Sequence, residues 1–321
     1  MTKLEWSLVI TAKESGGRIA PAALRALVAE GDLDAQVAAF ARRGYRFEPG
    51  PRGALVLSAW PRRLFAEEIA HGLGTDLVAR RVETHWTVTS TNDLARAEAR
   101  RGREGTAIFA EEQTGGRGRF GRKWVAPRFS ALLFSVPFSC EAASVQAASL
   151  ALAGAAAVAE AVAQVYSLPA RIRWPNDVLI EGRKIAGVLV EQTGARARRW
   201  LVAGIGVNVN LDPAALPRGL EETAGTIRQF LGHDADRALL ARAILRRLDF
   251  WWEVLKARDV ARLSGVCLTL SSIIGTFVTL ESRGKRHTGR VVDIDAEVGL
   301  VLQMSGGPTR VFAPAETTLV H

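Results

Sequence analysis

The chain has 321 residues, of which 48% are hydrophobic and 23% are charged, and this composition predicts a globular protein of two or three domains. Its formal net charge of +9 favours anionic partners such as nucleotides, nucleic acid or an acidic protein. Only six of the 42 basic residues are lysines, so the charge reflects a general preference for arginine and is weak evidence for DNA binding. The two cysteines have neither metal-ligand spacing nor a disulfide framework, and the N-terminus lacks a signal-peptide pattern, so we expect a cytoplasmic protein.

The first 62 residues predict a small winged-helix-like domain. A helical pattern begins at Pro21 and stops at Gly31, and a second covers Leu33 to Arg43. Strands at 45–48 and 54–58 then flank a turn rich in Pro and Gly. A helix that reads DNA presents polar and basic side chains, whereas DLDAQVAAFARRG is mostly apolar and opens with two aspartates that would repel phosphate. DNA binding and a packing role both stay open.

Residues 63–266 predict a second, larger domain that contains both strands and helices. The predicted helices cover 63–71, the segment after the polar cluster 89–93, 144–165 and 236–256. The third of these is apolar and Ala-rich but contains Glu160 and Gln164, which predicts a buried helix and no membrane partner. The predicted strands cover 81–86, 106–111, 131–138, 172–174, 178–180, 184–191 and 201–209. Residues 267–321, with 268–321 strand-like throughout, predict a small β-barrel, so the fold class is α+β.

The densest cluster of glycine and arginine is the segment 112–124, which reads EQTGGRGRFGRKW. Glycine lets the backbone approach a ligand closely, and arginine offers forked donors to carboxylate and phosphate. We expect this loop to be mobile when empty and ordered around an anionic ligand. By itself it also fits a flexible segment that grips nucleic acid through phosphates.

No nucleophile–base–orienter pattern is present, and the five histidines show no metal spacing. The loop ends in Lys-Trp and lacks the strand–loop–helix order of a P-loop. What remains is a cationic loop, Lys184 on a strand, the pair Asn176-Asp177 at a turn and a cluster of hydroxyl groups. This set suits phosphoryl or nucleotidyl transfer, in which the protein positions reactants and offsets developing charge.

The motifs Ser90-Thr91-Asn92, QTGGRGRFGRKW, RWPND, GRKIAGVLVE and GIGVNVN occur in one order over about 82–212. In this the chain resembles the biotin protein ligases, also called biotin–[acetyl-CoA-carboxylase] ligases. Lipoate ligases share the catalytic fold but not this loop, so lipoate is the weaker substrate prediction. The resemblance implies that residues 63–266 form a catalytic domain, built on a mixed, largely antiparallel (class II synthetase-like) sheet flanked by helices, and that residues 267–321 form an SH3-like barrel. It also implies ATP and Mg²⁺ as cosubstrates, biotin as substrate, biotinyl-5′-AMP as intermediate, and no tightly bound metal.

The resemblance also implies roles for individual residues. Lys184 would be the principal catalytic residue, bridging the biotin carboxylate and the α-phosphate, with Arg119 and Asp177 as further catalytic residues. Asp177 alone fits a magnesium partner, a base for the incoming lysine or a structural turn cap. The residues implied for biotin are Ser90, Thr91, Asn92, Gln113, Gly116, Arg117, Gly118, Arg119, Lys184, Gly187 and Gly204. Those implied for ATP are Arg119, Arg122, Trp124, Arg173, Asn176 and Asn208, and Gly206 would let its strand lie against the ligands.

The sequence departs from the family pattern at three points. Arg173 stands where lysine usually precedes Trp-Pro-Asn-Asp, Gly115 replaces a frequent alanine, and the opening domain lacks a polar recognition helix. The last departure puts in doubt the repressor activity that some members combine with ligation, using biotinyl-AMP as corepressor. The implied partners are biotin carboxyl carrier protein and a second copy of the chain, paired through an extended sheet.

Overall fold

The structure, a computed structural model, describes residues 3–28, 32–140, 145–195, 198–215, 219 and 222–320. The helices are α1 (Lys3–Glu14), α2 (Pro21–Val28), α3 (Leu33–Ala41), α4 (Ala66–Ala70), α5 (Thr91–Arg100), α6 (Ala147–Tyr166), α7 (Ile227–Leu231), α8 (Arg237–Lys256) and α9 (Val260–Leu270). The strands are β1 (Arg18–Ile19), β2 (Arg46–Pro49), β3 (Leu55–Ala59), β4 (Val82–Val88), β5 (Ala107–Gln113), β6 (Ala131–Cys140), β7 (Arg171–Arg173), β8 (Asp177–Ile180), β9 (Arg183–Ala195), β10 (Arg198–Asn208), β11 (Phe277–Ser282), β12 (Lys285–Asp295), β13 (Gly299–Met304), β14 (Thr309–Phe312) and β15 (Thr317–Val320). Gly31 and Ser144, the predicted end of one helix and start of another, lie outside the described residues.

The opening domain has the helix and strand order of a winged helix, with a three-stranded sheet ordered β1-β3-β2. The side chain of Asp32 caps α3, as its position before the helix predicts. The sequence analysis missed α1, which supplies much of this domain's core. Its Trp6 packs edge-on against Phe40 and Tyr45, with ring centroids 5.5 and 6.0 Å apart.

A seven-stranded sheet forms the centre of the molecule, in the order β4-β5-β6-β10-β9-β8-β7. Only β4 and β5 are paired in parallel among these strands, so the predicted mixed, largely antiparallel sheet is confirmed. One face packs against α6, where a Cβ added to Gly154 would lie 3.0 Å from Val188. The glycines of β9 and β10 that line a cleft, Gly187, Gly204 and Gly206, lie on the opposite face of the sheet.

Helix α6 is long and apolar enough to cross a membrane by length and composition alone. In the structure 72% of its most apolar stretch is buried, against the sheet and α8. Glu160 on this helix accepts hydrogen bonds from Arg247 and Trp251 of α8, both at 2.8 Å. The helix therefore serves as the core helix that its alanine content predicts.

The last five strands form an antiparallel sheet ordered β14-β13-β12-β11-β15. Within residues 277–320 no pairing joins β14 to β15, so the sheet is not closed into the predicted barrel. The prediction that 268–321 is strand-like throughout is wrong at its start, because α9 continues to Leu270. The division of the chain at 62 and 266 stays a prediction, and the second boundary falls within α9.

A buried ion cluster joins the opening domain to the central one. The ammonium of Lys13 on α1 contacts Glu68 of α4 and lies 2.7 Å from Asp236, which caps α8. The Tyr45 hydroxyl donates to the second carboxylate oxygen of Glu68 at 2.7 Å. Burial disfavours the Lys13 charge, but the two carboxylates outweigh it and raise the pKa of Lys13.

Candidate active site

A cleft of about 740 Å³ opens on the free face of β9 and β10. The start of α5, the glycine-arginine loop, the turn before β8 and the end of β15 form its other walls. Of the predicted site residues it brings together Ser90, Thr91, Asn92, Gln113, Arg117, Gly118, Arg119, Arg122, Trp124, Arg173, Asn176, Asp177, Lys184, Gly187, Gly204, Gly206 and Asn208. Gly116 does not line the cleft, because its Cα faces the Trp124 carbonyl, 2.4 Å from where a Cβ would lie.

The glycine-arginine loop is folded as a short hairpin. The backbone N–H of Gly118 donates to Arg122 at 2.7 Å, and that of Trp124 donates to Gly116 at 3.0 Å. At its tip Phe120 has φ near 55°, and its ring is 58% exposed. These bonds turn the loop back over the cleft, so that its arginines reach three different walls. The predicted change from mobile to ordered on ligand binding stays a prediction.

Trp124 lies flat against the glycines of the two central strands. A Cβ added at Gly206 would be 2.6 Å from Trp124 Cε2, and one added at Gly187 would be 3.3 Å from Cζ3. The Lys184 ammonium lies 5.7 Å from the centre of the indole ring. A side chain at position 206 would therefore displace the indole, whereas one at position 187 would meet it in a tight contact.

Lys184 is held at the start of β9 by its backbone and by its charge. Its N–H donates to Thr223 at 2.8 Å, and its carbonyl accepts from Gly225 at 2.9 Å. Its ammonium lies 2.6 Å from one carboxylate oxygen of Asp177, and Arg173 lies 3.3 Å from the other. The three side chains carry a net charge of +1, which attracts an anionic ligand.

Asp177 is the only acidic side chain among the described residues that line the cleft. Both of its oxygens contact cations in this arrangement, and its predicted role as a magnesium partner stays a prediction. The described residues also contain no group of three His, Cys, Asp or Glu side chains that could hold a metal.

A network of uncharged polar groups forms the end of the cleft below α5. Ser90 precedes the helix, but its side chain makes no capping hydrogen bond. The Thr91 N–H and hydroxyl donate to Gln113 Oε1 at 2.8 and 3.1 Å, which leaves the Gln113 NH₂ group for a ligand. The Ser135 hydroxyl donates to Asn92 Oδ1 at 2.6 Å. Sequence reasoning missed Ser135, whose signal is a polar residue within the apolar strand β6.

Arg117 is engaged by two carboxylates beside this network. Its guanidinium lies 2.8 Å from Asp93 of α5 and 3.5 Å from Glu191 of β9. The hydrogen bond from Arg117 is the main reason that the pKa of Asp93 is lowered. Arg117 therefore fastens the loop to both α5 and the central sheet.

Arg119 fastens the other side of the loop to the C-terminal sheet. It donates to the carbonyls of Pro314 and Thr317 at 2.5 and 3.0 Å, and to Asn176 Oδ1 at 3.3 Å. Burial lowers the pKa of its guanidinium. These bonds bring Thr318 and Leu319 into the wall of the cleft, which no motif in the sequence indicated.

Asn176 and Asn208 are buried and fix the backbone with their amide groups. Asn176 Nδ2 donates to Val188 at 2.7 Å, and Asn208 Nδ2 donates to Gly225 at 3.0 Å. The second bond holds the segment that pairs with Lys184. Both amides therefore help to position β9 and the segment that pairs with its first residues.

A mixed sheet bearing a cationic, glycine-lined cleft under a glycine-arginine loop defines a ligase with the biotin/lipoate ligase fold. Residues 84–210 match the model of the biotin/lipoate A/B protein ligase family. The chain is 28% identical to the bifunctional ligase/repressor BirA of Bacillus subtilis over 85% of its length and 84% of that protein. It is 32% identical to the biotin–[acetyl-CoA-carboxylase] ligase of Mycobacterium tuberculosis over 68% of its length and 80% of that enzyme.

A solved structure agrees with these relatives. The biotin protein ligase from Aquifex aeolicus in complex with biotin and ATP superposes with a TM-score of 0.66 at 27% identity, over 75% of this chain and 99% of that one. The chain belongs to the biotin protein ligases.

Proposed function

We propose that the cleft joins biotin to ATP and then transfers the biotinyl group to a lysine of biotin carboxyl carrier protein. The observation that carries this proposal is the Lys184 ammonium, which lies beside Gly187 and 5.7 Å from the centre of the Trp124 ring, in a cleft that arginines also line. Both substrates are anions, so the first task of the site is to bring two negative groups together.

In the first step a carboxylate oxygen of biotin attacks the α-phosphorus of ATP, and the bond from that phosphorus to pyrophosphate breaks. Lys184 is suited to stabilise the charge where carboxylate and phosphate meet, since its ammonium needs only to leave Asp177. The polar network of Ser90, Thr91 and Gln113 supplies donors and acceptors for the ureido ring. Trp124 and the loop cover the nucleotide and exclude water from the adenylate.

In the second step the amine of the carrier lysine attacks the acyl carbon, and the bond from that carbon to the AMP oxygen breaks. The proton that the amine loses passes to water. The carrier must therefore reach the mouth of the cleft, where the loop and β15 meet. The magnesium ion would accompany the ATP phosphates, held by phosphate oxygens and water. We place this activity in the cytoplasm, because both cysteines are free and buried.

The test is pyrophosphate release with ATP, Mg²⁺ and either biotin or lipoate. We expect release with biotin and none above background with lipoate. Release with lipoate but not biotin would overturn the substrate, and release with neither would overturn the ligase activity.

A dimer formed through the central sheet is a further proposal about partners. Strand β4 lies at the edge of the sheet, and its Trp86 is 49% exposed. Light scattering with and without biotin and ATP tests it, and a monomer under both conditions would contradict it.

DNA-binding repression is the second candidate function, favoured by the winged-helix order of the opening domain. Its test is an adenylate-dependent shift of DNA carrying the promoter of the protein's own biotin genes. The composition of α3 argues against it, because the exposed positions of this helix include Asp34, Ala35 and Ala38.

A further inference from the structure

Glu191 of β9 is the last residue of the motif GRKIAGVLVE, and the resemblance assigns no role to it. It lies where β9, α5 and the glycine-arginine loop meet. Gly187, Leu189 and Glu191 alternate along β9 and therefore share one face of the sheet. The first two line the cleft, and Glu191 continues their row beneath the start of α5. Its carboxylate is about three-quarters buried, with 23% of the side chain exposed.

The carboxylate of Glu191 is the partner that orients Asn92. Asn92 Nδ2 donates to Glu191 Oε2 at 2.9 Å. This bond decides which end of the Asn92 amide faces Ser135, so that Oδ1 accepts from the Ser135 hydroxyl at 2.6 Å. The fit is tight, since a Cβ added to Gly204 would lie 2.2 Å from the same Oδ1.

The same carboxylate stabilises the loop that covers this end of the cleft. Arg117 lies 3.5 Å from Glu191, and Arg96 of α5 lies 3.7 Å away. Arg117 keeps a shorter contact of 2.8 Å to Asp93, so it would remain fastened to α5 without Glu191. Asn92, in contrast, has Glu191 as the acceptor for its NH₂ group. Removal of the Glu191 carboxylate should therefore affect Asn92 more than Arg117.

We infer that Glu191 is a positioning residue for the biotin end of the cleft, acting through Asn92 rather than by touching substrate. This inference rests on the proposed function. Without the carboxylate the Asn92 amide can rotate, which disturbs Ser135, Thr91 and the hydrogen bonds that Thr91 makes to Gln113. Groups that orient a binding residue from behind commonly change affinity by about 10–100-fold when removed. The ATP end of the cleft, around Lys184 and Trp124, does not depend on this bond.

The experiment compares Glu191→Ala, Glu191→Gln and Asn92→Ala by calorimetric biotin binding without ATP and by pyrophosphate release. We expect Glu191→Ala to weaken biotin binding about tenfold and to raise the KM for biotin in parallel, with kcat and the KM for ATP changed less than about twofold. Glu191→Gln should restore most of the affinity, because its amide oxygen still accepts from Asn92. The double variant Glu191→Ala/Asn92→Ala should bind no more weakly than Asn92→Ala alone.

The matched control is Glu160→Ala, which removes a carboxylate of similar exposure, 25% of the side chain, from α6, where it pairs with Arg247 away from the cleft. It should leave biotin binding unchanged. The inference is overturned if Glu191→Ala binds biotin as tightly as the unaltered protein does, or if the affinities for ATP and biotin fall by the same factor. It is also overturned if the double variant loses as much biotin affinity as the two single variants lose together. Failure of the unaltered protein to bind biotin would instead overturn the proposed function.

Discussion

The ammonium of Lys184 lies 2.6 Å from Oδ1 of Asp177, so the principal cation of the cleft is paired before any ligand enters. The pair is partly exposed, with 31% of the Lys184 side chain accessible, and an incoming phosphate can replace the carboxylate. Replacement of Lys184 by Ala should lower the rate of adenylate formation by at least about 10³-fold, because the variant loses the ammonium that is placed beside Asp177 in the cleft. Pyrophosphate release with biotin measures this, with Lys256→Ala as a control at a surface pair. Full activity of the Lys184 variant would contradict the assignment.

The same pair gives Asp177 a testable role. Because its carboxylate contacts Lys184 and Arg173 together, we expect Asp177→Asn to misplace Lys184 and slow adenylate formation by about 10–100-fold. Measurement of each half-reaction separates the roles left open by the sequence. A loss confined to transfer onto the carrier protein would contradict positioning and would support a base for the incoming lysine.

The proposed contact of Trp124 with the nucleotide can be tested through Gly206, whose Cα lies against the Trp124 indole. In Gly206→Ala the new Cβ would meet the ring at 2.6 Å, so the indole must move off the strand. We expect the KM for ATP to rise about tenfold or more, with little loss of stability. Gly265→Ala is the matched control, since its Cβ would meet nothing within 4 Å. An unchanged KM for ATP in the Gly206 variant would mean that Trp124 does not hold the nucleotide.

The sequence predicted the parts of this site that lie on continuous motifs. The glycines of β9 and β10, the loop and Lys184 each occur in a motif whose strand or turn is readable from alternation and turn residues. It could not predict contacts made by distant elements, such as the bonds from Arg119 to Pro314 and Thr317. Helix α1 was missed for a similar reason, since its Trp6 packs against Phe40, Tyr45 and Phe65, which are distant in sequence.

The exposed surface of α3 predicts weak or absent DNA binding. Asp34, Ala35 and Ala38 face solvent, whereas Gln36 and Phe40 are turned into the domain. A helix in the major groove needs donors and cations at such exposed positions. In a gel-shift assay at low salt, we expect the protein not to retard DNA that carries the promoter of its own biotin genes, with or without biotin and ATP. A shift that weakens steeply with salt and strengthens with the adenylate would contradict this prediction.

The buried cluster of Lys13, Glu68 and Asp236 predicts that the opening domain stabilises the catalytic domain. In Lys13→Met two buried carboxylates lose their shared cation, and breaking a buried pair in this way costs about 3–5 kcal/mol of unfolding free energy. Denaturant unfolding measures the loss. The control Lys256→Ala, at an exposed pair with Glu253, should cost less than about 1 kcal/mol. Equal effects of the two substitutions would contradict a buried link between the domains.

The cluster also predicts a dependence of stability on alkaline pH. The folded-state pKa of Lys13 is raised above 10.5, so protonation of Lys13 contributes its full stability below pH 10.5 and loses it as the pH rises through the higher folded value. The difference in unfolding free energy between the unaltered protein and Lys13→Met should therefore be constant from about pH 8 to 10 and shrink above 10.5. A difference that grows above pH 10.5 would contradict the raised pKa and, with it, the ion pairs that hold the two domains together.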